Sequence, residues 1–207
     1  MSTLKAATIQ GEDFALAVAA LMDSRQTILP KRLIDPGPDA MQLESIFKAA
    51  SSAPDHGQLC PWRFILVPLA ERCCLAETFA DALQERDSMA SEDEMSRARE
   101  KAYRAPLLML MVVDTQCGDQ DVDLNERLIS AGCALQNMLL MATALGFGSA
   151  LTSGKALKST RLHTLFQLTA SELALCFLSI GSVQSRKQTS RRPEISRFVS
   201  ELTSSKD

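Results

Sequence analysis

Ala53-Pro54-Asp55-His56-Gly57-Gln58-Leu59-Cys60-Pro61-Trp62 is the stretch on which the fold turns. Two prolines, a glycine, a histidine and the only tryptophan fall within ten residues. Proline fixes φ and glycine opens positive φ, so the segment is a shaped loop and neither a helix nor a strand. It reads either as a rigid turn feeding a strand or as a loop that meets a ligand. Residues 62–67 that follow are dense in apolar, β-prone side chains and predict a strand. On the other side, Asp39 is a good N-cap, and Met41, Leu43, Ile46 and Phe47 space a helix to about Ser51.

The same reading extends in both directions. Residues 12–23 are rich in Ala, Leu and Val and predict a helix, followed by Ser24-Arg25-Gln26-Thr27 and a loop with Pro30, Pro36, Gly37 and Pro38. Residues 71–86 predict an amphipathic helix with Leu75, Phe79 and Leu83 four apart, and residues 92–103 a charged, solvated one. Residues 105–114 read as a strand with apolar residues on both faces. Residues 125–145 form a long helix with almost no charge after Arg127, expected to be buried in the domain or between subunits, and Gly146 and Gly148 end it. A short strand at 149–152, a helix opened by Ser159 and a buried strand at 173–180 complete the body. The tail from Ser185 is polar, with an apolar patch at Ile195, Phe198 and Val199. With no repeat and no low-complexity linker, the 207 residues read as one α+β or α/β domain around a central sheet.

Composition narrows the function. Apolar residues make up 46% of the chain, enough for a sizeable core. A net charge of -3 argues against a general nucleic-acid binder, which needs a basic surface. No apolar run approaches the roughly 20 residues of a membrane span, and the first residues lack the long apolar stretch of a signal peptide, so a cytoplasmic protein off the membrane is expected. Reduced thiols are then the default for the six cysteines, of which Cys133 and Cys176 read as small core residues. With only His56 and His163, a multi-histidine metal centre is excluded, and no spacing supports a zinc site.

Familiar catalytic signatures are missing. There is no P-loop and no G-x-S-x-G elbow, and Gly146-Phe147-Gly148 follows a helix, the wrong context for a dinucleotide turn. A chain with so little acid–base apparatus suits an enzyme whose cofactor carries the chemistry. Besides residues 53–62, two segments are candidate ligand sites. Arg25 with the Thr27 hydroxyl suits a phosphate, or else it is a solvated helix C-terminus with Arg25 complementing the dipole. Leu151-Thr152-Ser153-Gly154 offers hydroxyls and backbone to a ligand, or else it is a plain strand-to-helix turn. The basic run at Arg186-Lys187 and Arg191-Arg192 reads either as solvated tail or as a phosphate partner.

Taken in order, these segments resemble the nitroreductase family, in particular its short YdjA-like branch. The likeness runs from about Asp23 to Val199. It is carried by Ser24-Arg25-Gln26-Thr27, Pro36-Gly37-Pro38, Ala53-Pro54-Asp55-His56 before Pro61-Trp62-Arg63-Phe64, and Arg104-Ala105-Pro106. Further pieces are Ser130-Ala131-Gly132-Cys133-Ala134, Gly146-Phe147-Gly148, Ser153-Gly154, Ile180-Gly181 and Phe198-Val199. The resemblance implies an α+β fold with a mostly antiparallel central sheet flanked by helices. It also implies an intertwined homodimer binding FMN at the dimer interface, and a ping-pong transfer of electrons from NAD(P)H to a small acceptor such as a nitroaromatic or quinone. By position, Arg25, Gln26 and Thr27 would hold the FMN phosphate and ribityl chain, with Arg186 as a second phosphate cation. Ser52 and His56 fall where the family contacts the flavin. Leu151, Thr152 and Ser153 would lie along the ring of the other subunit's flavin. No side chain is assigned as an obligate acid or base.

The chain departs from the pattern at three places. Arg25-Gln26-Thr27 stands where the family often has Arg-Arg-Ser, Cys60 where a Gln is common, and Leu151-Thr152 where relatives have a Trp-Arg pair. Residues 1–22 read as an extension before a single FMN-binding domain over 23–207. Other readings are a same-fold flavin enzyme with another reaction, such as dehalogenation or flavin breakdown, a non-enzymatic FMN-binding module, and a structural dimer.

Overall fold

The computed structural model describes residues 11–185 and 192–203. The elements run α1 (Glu12–Ser24), β1 (Leu33–Ile34), α2 (Ala40–Ala50), β2 (Trp62–Leu66), α3 (Arg72–Arg86), α4 (Glu92–Glu100), β3 (Leu107–Asp114), α5 (Leu124–Ala144), β4 (Gly148–Thr152), α6 (Thr160–Leu165) and β5 (Glu172–Val183). Every predicted helix and strand is present. The two-residue β1, hidden among prolines, is the addition. Local chemistry explains the starts. The Asp39 carboxylate accepts from the Gln42 N–H at 2.8 Å while the Gln42 side chain accepts from the Asp39 N–H at 2.9 Å, closing a capping box on α2. Ser91 and Glu94 do the same for α4.

All the strand pairings are antiparallel: β5 lies between β3 and β4 and also pairs with β1, and β2 is added outside β3. The side-chain period of two divides β3 cleanly. Met109, Met111 and Val113 face a core shared with α2 and α5, whereas Leu108, Leu110 and Val112 face one shared with α3 and α6. All six are buried, which is why the strand reads as a continuous apolar run instead of alternating. This is the α+β arrangement of a helix-flanked antiparallel sheet.

Two expectations need correction. Helix α4 is not solvated all round, because Met95 and Ala98 are buried on its inner side, as is Ala102 just beyond it. Helix α5, expected to be buried in the domain or between subunits, is buried in the domain on one side, while Ile129 is 64% exposed and Gly132 and Gln136 are also exposed. Gly148, expected to help end α5, lies in β4. A Cβ there would sit 2.3 Å from Val183 Cγ2 and 3.0 Å from Ile28 Cγ1, so only glycine lets these segments close.

Two arginines, Arg72 and Arg127, are buried. Arg72 donates to the carbonyls of Val67 (2.9 Å), Ala102 (2.5 Å), Ala105 (3.2 Å) and Pro106 (3.2 Å). Arg127 donates to those of Val122 (3.0 Å), Cys117 (2.6 Å) and Asp119 (2.6 Å). Each guanidinium thereby satisfies carbonyls of irregular backbone that no ladder reaches.

Candidate functional site

Arg25 caps the end of α1 with extended backbone, and its N–H reaches the Leu21 carbonyl at 3.2 Å. The chain then runs beside β4: Thr27 bridges Ser149, and the Ile28 N–H donates to the Ser149 carbonyl at 2.9 Å. The structure thus brings Arg25, Gln26 and Thr27 beside the strand that ends in Leu151 and Thr152, far away in sequence. Arg192 ties the tail to the same corner, donating to the carbonyls of Arg25 (3.1 Å), Met22 (3.4 Å) and Asp23 (3.4 Å).

Past β4, Thr152 and Ser153 line a cavity of about 590 Å³. Its floor is apolar, with Phe79, Leu108, Leu157 and Phe177. Among the described residues its cations are Lys31, Arg86, Lys101, Arg104 and Lys155, and no Asp or Glu lines it. An apolar floor with a few convergent polar and charged groups, at this volume, matches a small-molecule site. Leu151 is 40% exposed and does not line the cavity.

The remaining predicted residues lie elsewhere on the chain. Ser52 is exposed just after α2, its N–H donating to the Ala49 carbonyl at 3.2 Å. His56 lies in the loop that follows, where Gly57, Gln58 and Cys60 all have positive φ (67°, 53° and 47°). For the two non-glycine residues this is a strained conformation, held partly by the Asp55 carboxylate accepting from the Cys60 N–H at 2.7 Å. His56 Nδ1 lies 2.6 Å from Glu126 Oε2 in the first turn of α5. That hydrogen bond and the carboxylate's charge raise the imidazole pKa above its ordinary value. Burial, then the nearby Asp55 carboxylate, raises that of the Cys60 thiol.

One chain therefore presents separate groups of candidates: Arg25, Gln26 and Thr27 beside β4, Thr152 and Ser153 at the cavity past its end, and Ser52 just after α2 with His56 against α5. Neither Ser52 nor His56 lines the cavity. Arg186 lies outside the described residues. Sequence reasoning missed the cavity's cations. They come from four separate places along the chain, and only Arg104 carried any signal, as part of Arg104-Ala105-Pro106.

The model of the nitroreductase family matches residues 30–182. A Haemophilus influenzae protein named "Putative NAD(P)H nitroreductase" is 34% identical over 152 residues, covering 73% of this chain and 82% of that protein. The Escherichia coli "Putative NAD(P)H nitroreductase YdjA" is 30% identical over 175 residues, covering 82% and 93%. Among solved structures, an "FMN-dependent Nitroreductase" from Clostridium difficile superposes with a TM-score of 0.63 at 18% identity, covering 89% of this chain and 99% of that one, a likeness of fold.

Proposed function

The chain belongs to the nitroreductase family, and from that premise we propose that it is an FMN-dependent oxidoreductase passing electrons from NAD(P)H to a small acceptor such as a nitroaromatic or quinone. The observation that carries this reading is the cavity where the Thr152 and Ser153 hydroxyls meet a cationic rim over an apolar floor. A flavin needs those features together: flat apolar surface for the ring, donors for its polar edge, and positive charge for a phosphate dianion. The names of the relatives and the solved FMN-dependent neighbour support the same reading.

In this reading Arg25, Gln26 and Thr27 bind the phosphate and ribityl chain, and Arg186 adds a second cation. Thr152 and Ser153 donate toward the ring and Leu151 packs beside it. The resemblance implies that Leu151, Thr152 and Ser153 lie along the ring of the other subunit's flavin; because Thr152 and Ser153 line a cavity that Ser52 and His56 do not, we assign Ser52 and His56 to the flavin held by the other subunit instead. Their placement away from the cavity of their own chain supports a site shared between two copies. Exposed apolar side chains support a homodimer as well: Phe14, Leu16 and Met22 on α1, Ile129 on α5, and Phe198 in the tail. When bound, the flavin supplies the two-electron redox chemistry that side chains cannot. The chain's part is to bind, orient and exclude water, with no obligate acid or base.

The test is the visible spectrum of the purified protein after FMN addition and desalting. We expect a retained flavin spectrum that NAD(P)H bleaches anaerobically and a quinone restores. Absence of retained flavin refutes the reading. His56→Ala is expected to weaken FMN or substrate binding without abolishing turnover. A dead variant with full flavin occupancy would contradict the binding role of His56.

A further inference from the structure

We propose that the electron donor is the 2′-phosphorylated dinucleotide, NADPH in preference to NADH. The proposal rests on the flavin reading above and goes beyond it by assigning the cavity's surplus of positive charge.

The chain as a whole is acidic, with a net charge of -3. Its cavity is the reverse: five cations and no carboxylate among the lining residues. Four basic side chains elsewhere are held in ion pairs. Arg63 binds Glu172, Arg99 binds Glu77, Arg161 binds Asp81 and Glu85, and Lys48 binds Glu44. Among the described residues, none of Lys31, Arg86, Lys101, Arg104 and Lys155 is ion-paired in this way. Unpaired cations crowded around one concavity repel each other, and an anionic ligand relieves that repulsion.

The flavin phosphate does not account for the charge. A phosphomonoester brings about two negative charges at neutral pH. Arg25, the cation assigned to it, does not line the cavity. Even where the rim shares in holding that dianion, as the flavin reading has it, three of the five lining cations are left over. The diphosphate common to NADH and NADPH takes up part of the surplus, and the 2′-phosphate of NADPH supplies a further dianion. Arg86, the last residue of α3, and Lys155, just past β4, are both exposed and reach the cavity from different elements. Two donors from separate supports can grip a phosphate that a lone surface lysine would leave solvated.

No nicotinamide is needed for the test. FMN-loaded protein is titrated calorimetrically with 2′-phospho-ADP-ribose and with ADP-ribose, at low and at high salt. The phosphorylated fragment should bind about tenfold tighter, the effect of one charge-assisted contact, and the gap should narrow in salt. The double variant Arg86→Gln with Lys155→Gln should close most of the gap while circular dichroism shows the fold intact. Equal affinities in the wild type, or a gap that survives the double variant, overturns the proposal. The absorbance of the desalted protein reports the flavin separately. A yellow protein that does not distinguish the fragments sinks this inference and leaves the flavin reading standing, whereas a colourless one sinks both.

Discussion

Arg72→Met is the perturbation whose cost the structure allows to be worked out most fully. The guanidinium is 2% exposed and donates to four carbonyls, and its desolvation lowers its pKa from the ordinary arginine value. Hydrogen bonds from a charged donor are worth about 1.5–3 kcal/mol each, but the four share one desolvation penalty, so the net loss is less than their sum. Removing one partner of a buried charged network costs about 3–5 kcal/mol, because the acceptors stay buried without donors. For a chain of this size that lowers Tm by about 6–20 °C. The carbonyls concerned belong to residues 102, 105 and 106 as well as 67, the backbone that carries Arg104 to the cavity. FMN affinity should therefore fall along with stability. Urea unfolding followed by circular dichroism measures the first, and quenching of flavin fluorescence the second. Arg72→Lys should fall between the two, since an ammonium keeps the charge but cannot span four acceptors. A loss below about 1 kcal/mol in Arg72→Met, the scale of an exposed ion pair, refutes the claim that this guanidinium ties the segment down.

Three further outcomes are expected. Gly148→Ala places a methyl 2.3 Å from Val183 Cγ2 and should cost about 1–3 kcal/mol in urea unfolding, the scale of overpacking; a neutral substitution would show that β4 and its neighbours part easily. The His56–Glu126 pair raises the folded-state pKa of the histidine, so its stabilisation is fully present below the unfolded value of about 6.5 and is lost as pH rises through the folded value. An NMR titration should show His56 titrating lower in Glu126→Gln than in the wild type, and an unmoved midpoint contradicts the contact. Burial pushes the Cys176 thiol up to about 11, so native alkylation at pH 8 should modify the exposed Cys73 and Cys74 and spare Cys176; equal labelling by peptide mass mapping overturns its place in the core.

What could be read from the sequence was local. The Asp39 cap, the proline-bounded loop before Trp62, the apolar run of β3 and the length of α5 each follow from backbone chemistry within a dozen residues. Periodicity and capping are short-range effects, so the order of helices and strands was legible. Where two segments meet was not. Nothing local in Thr27 announces Ser149, and β1 is too short to show a period. The burial of Arg72 and Arg127 carries no sequence signal, because their acceptors are backbone carbonyls, which no side-chain pattern reveals. The cavity makes the same point at the level of function. Resemblance to the family pointed to Thr152 and Ser153, but Lys31, Arg86, Lys101, Arg104 and Lys155 are ordinary basic residues in sequence. Only the folding of the sheet and its helices brings them to one concavity. The sequence by itself determined which elements form and to which family they belong. The tertiary structure alone decided which charges face one another, because electrostatic interaction depends on distance through space and not along the chain.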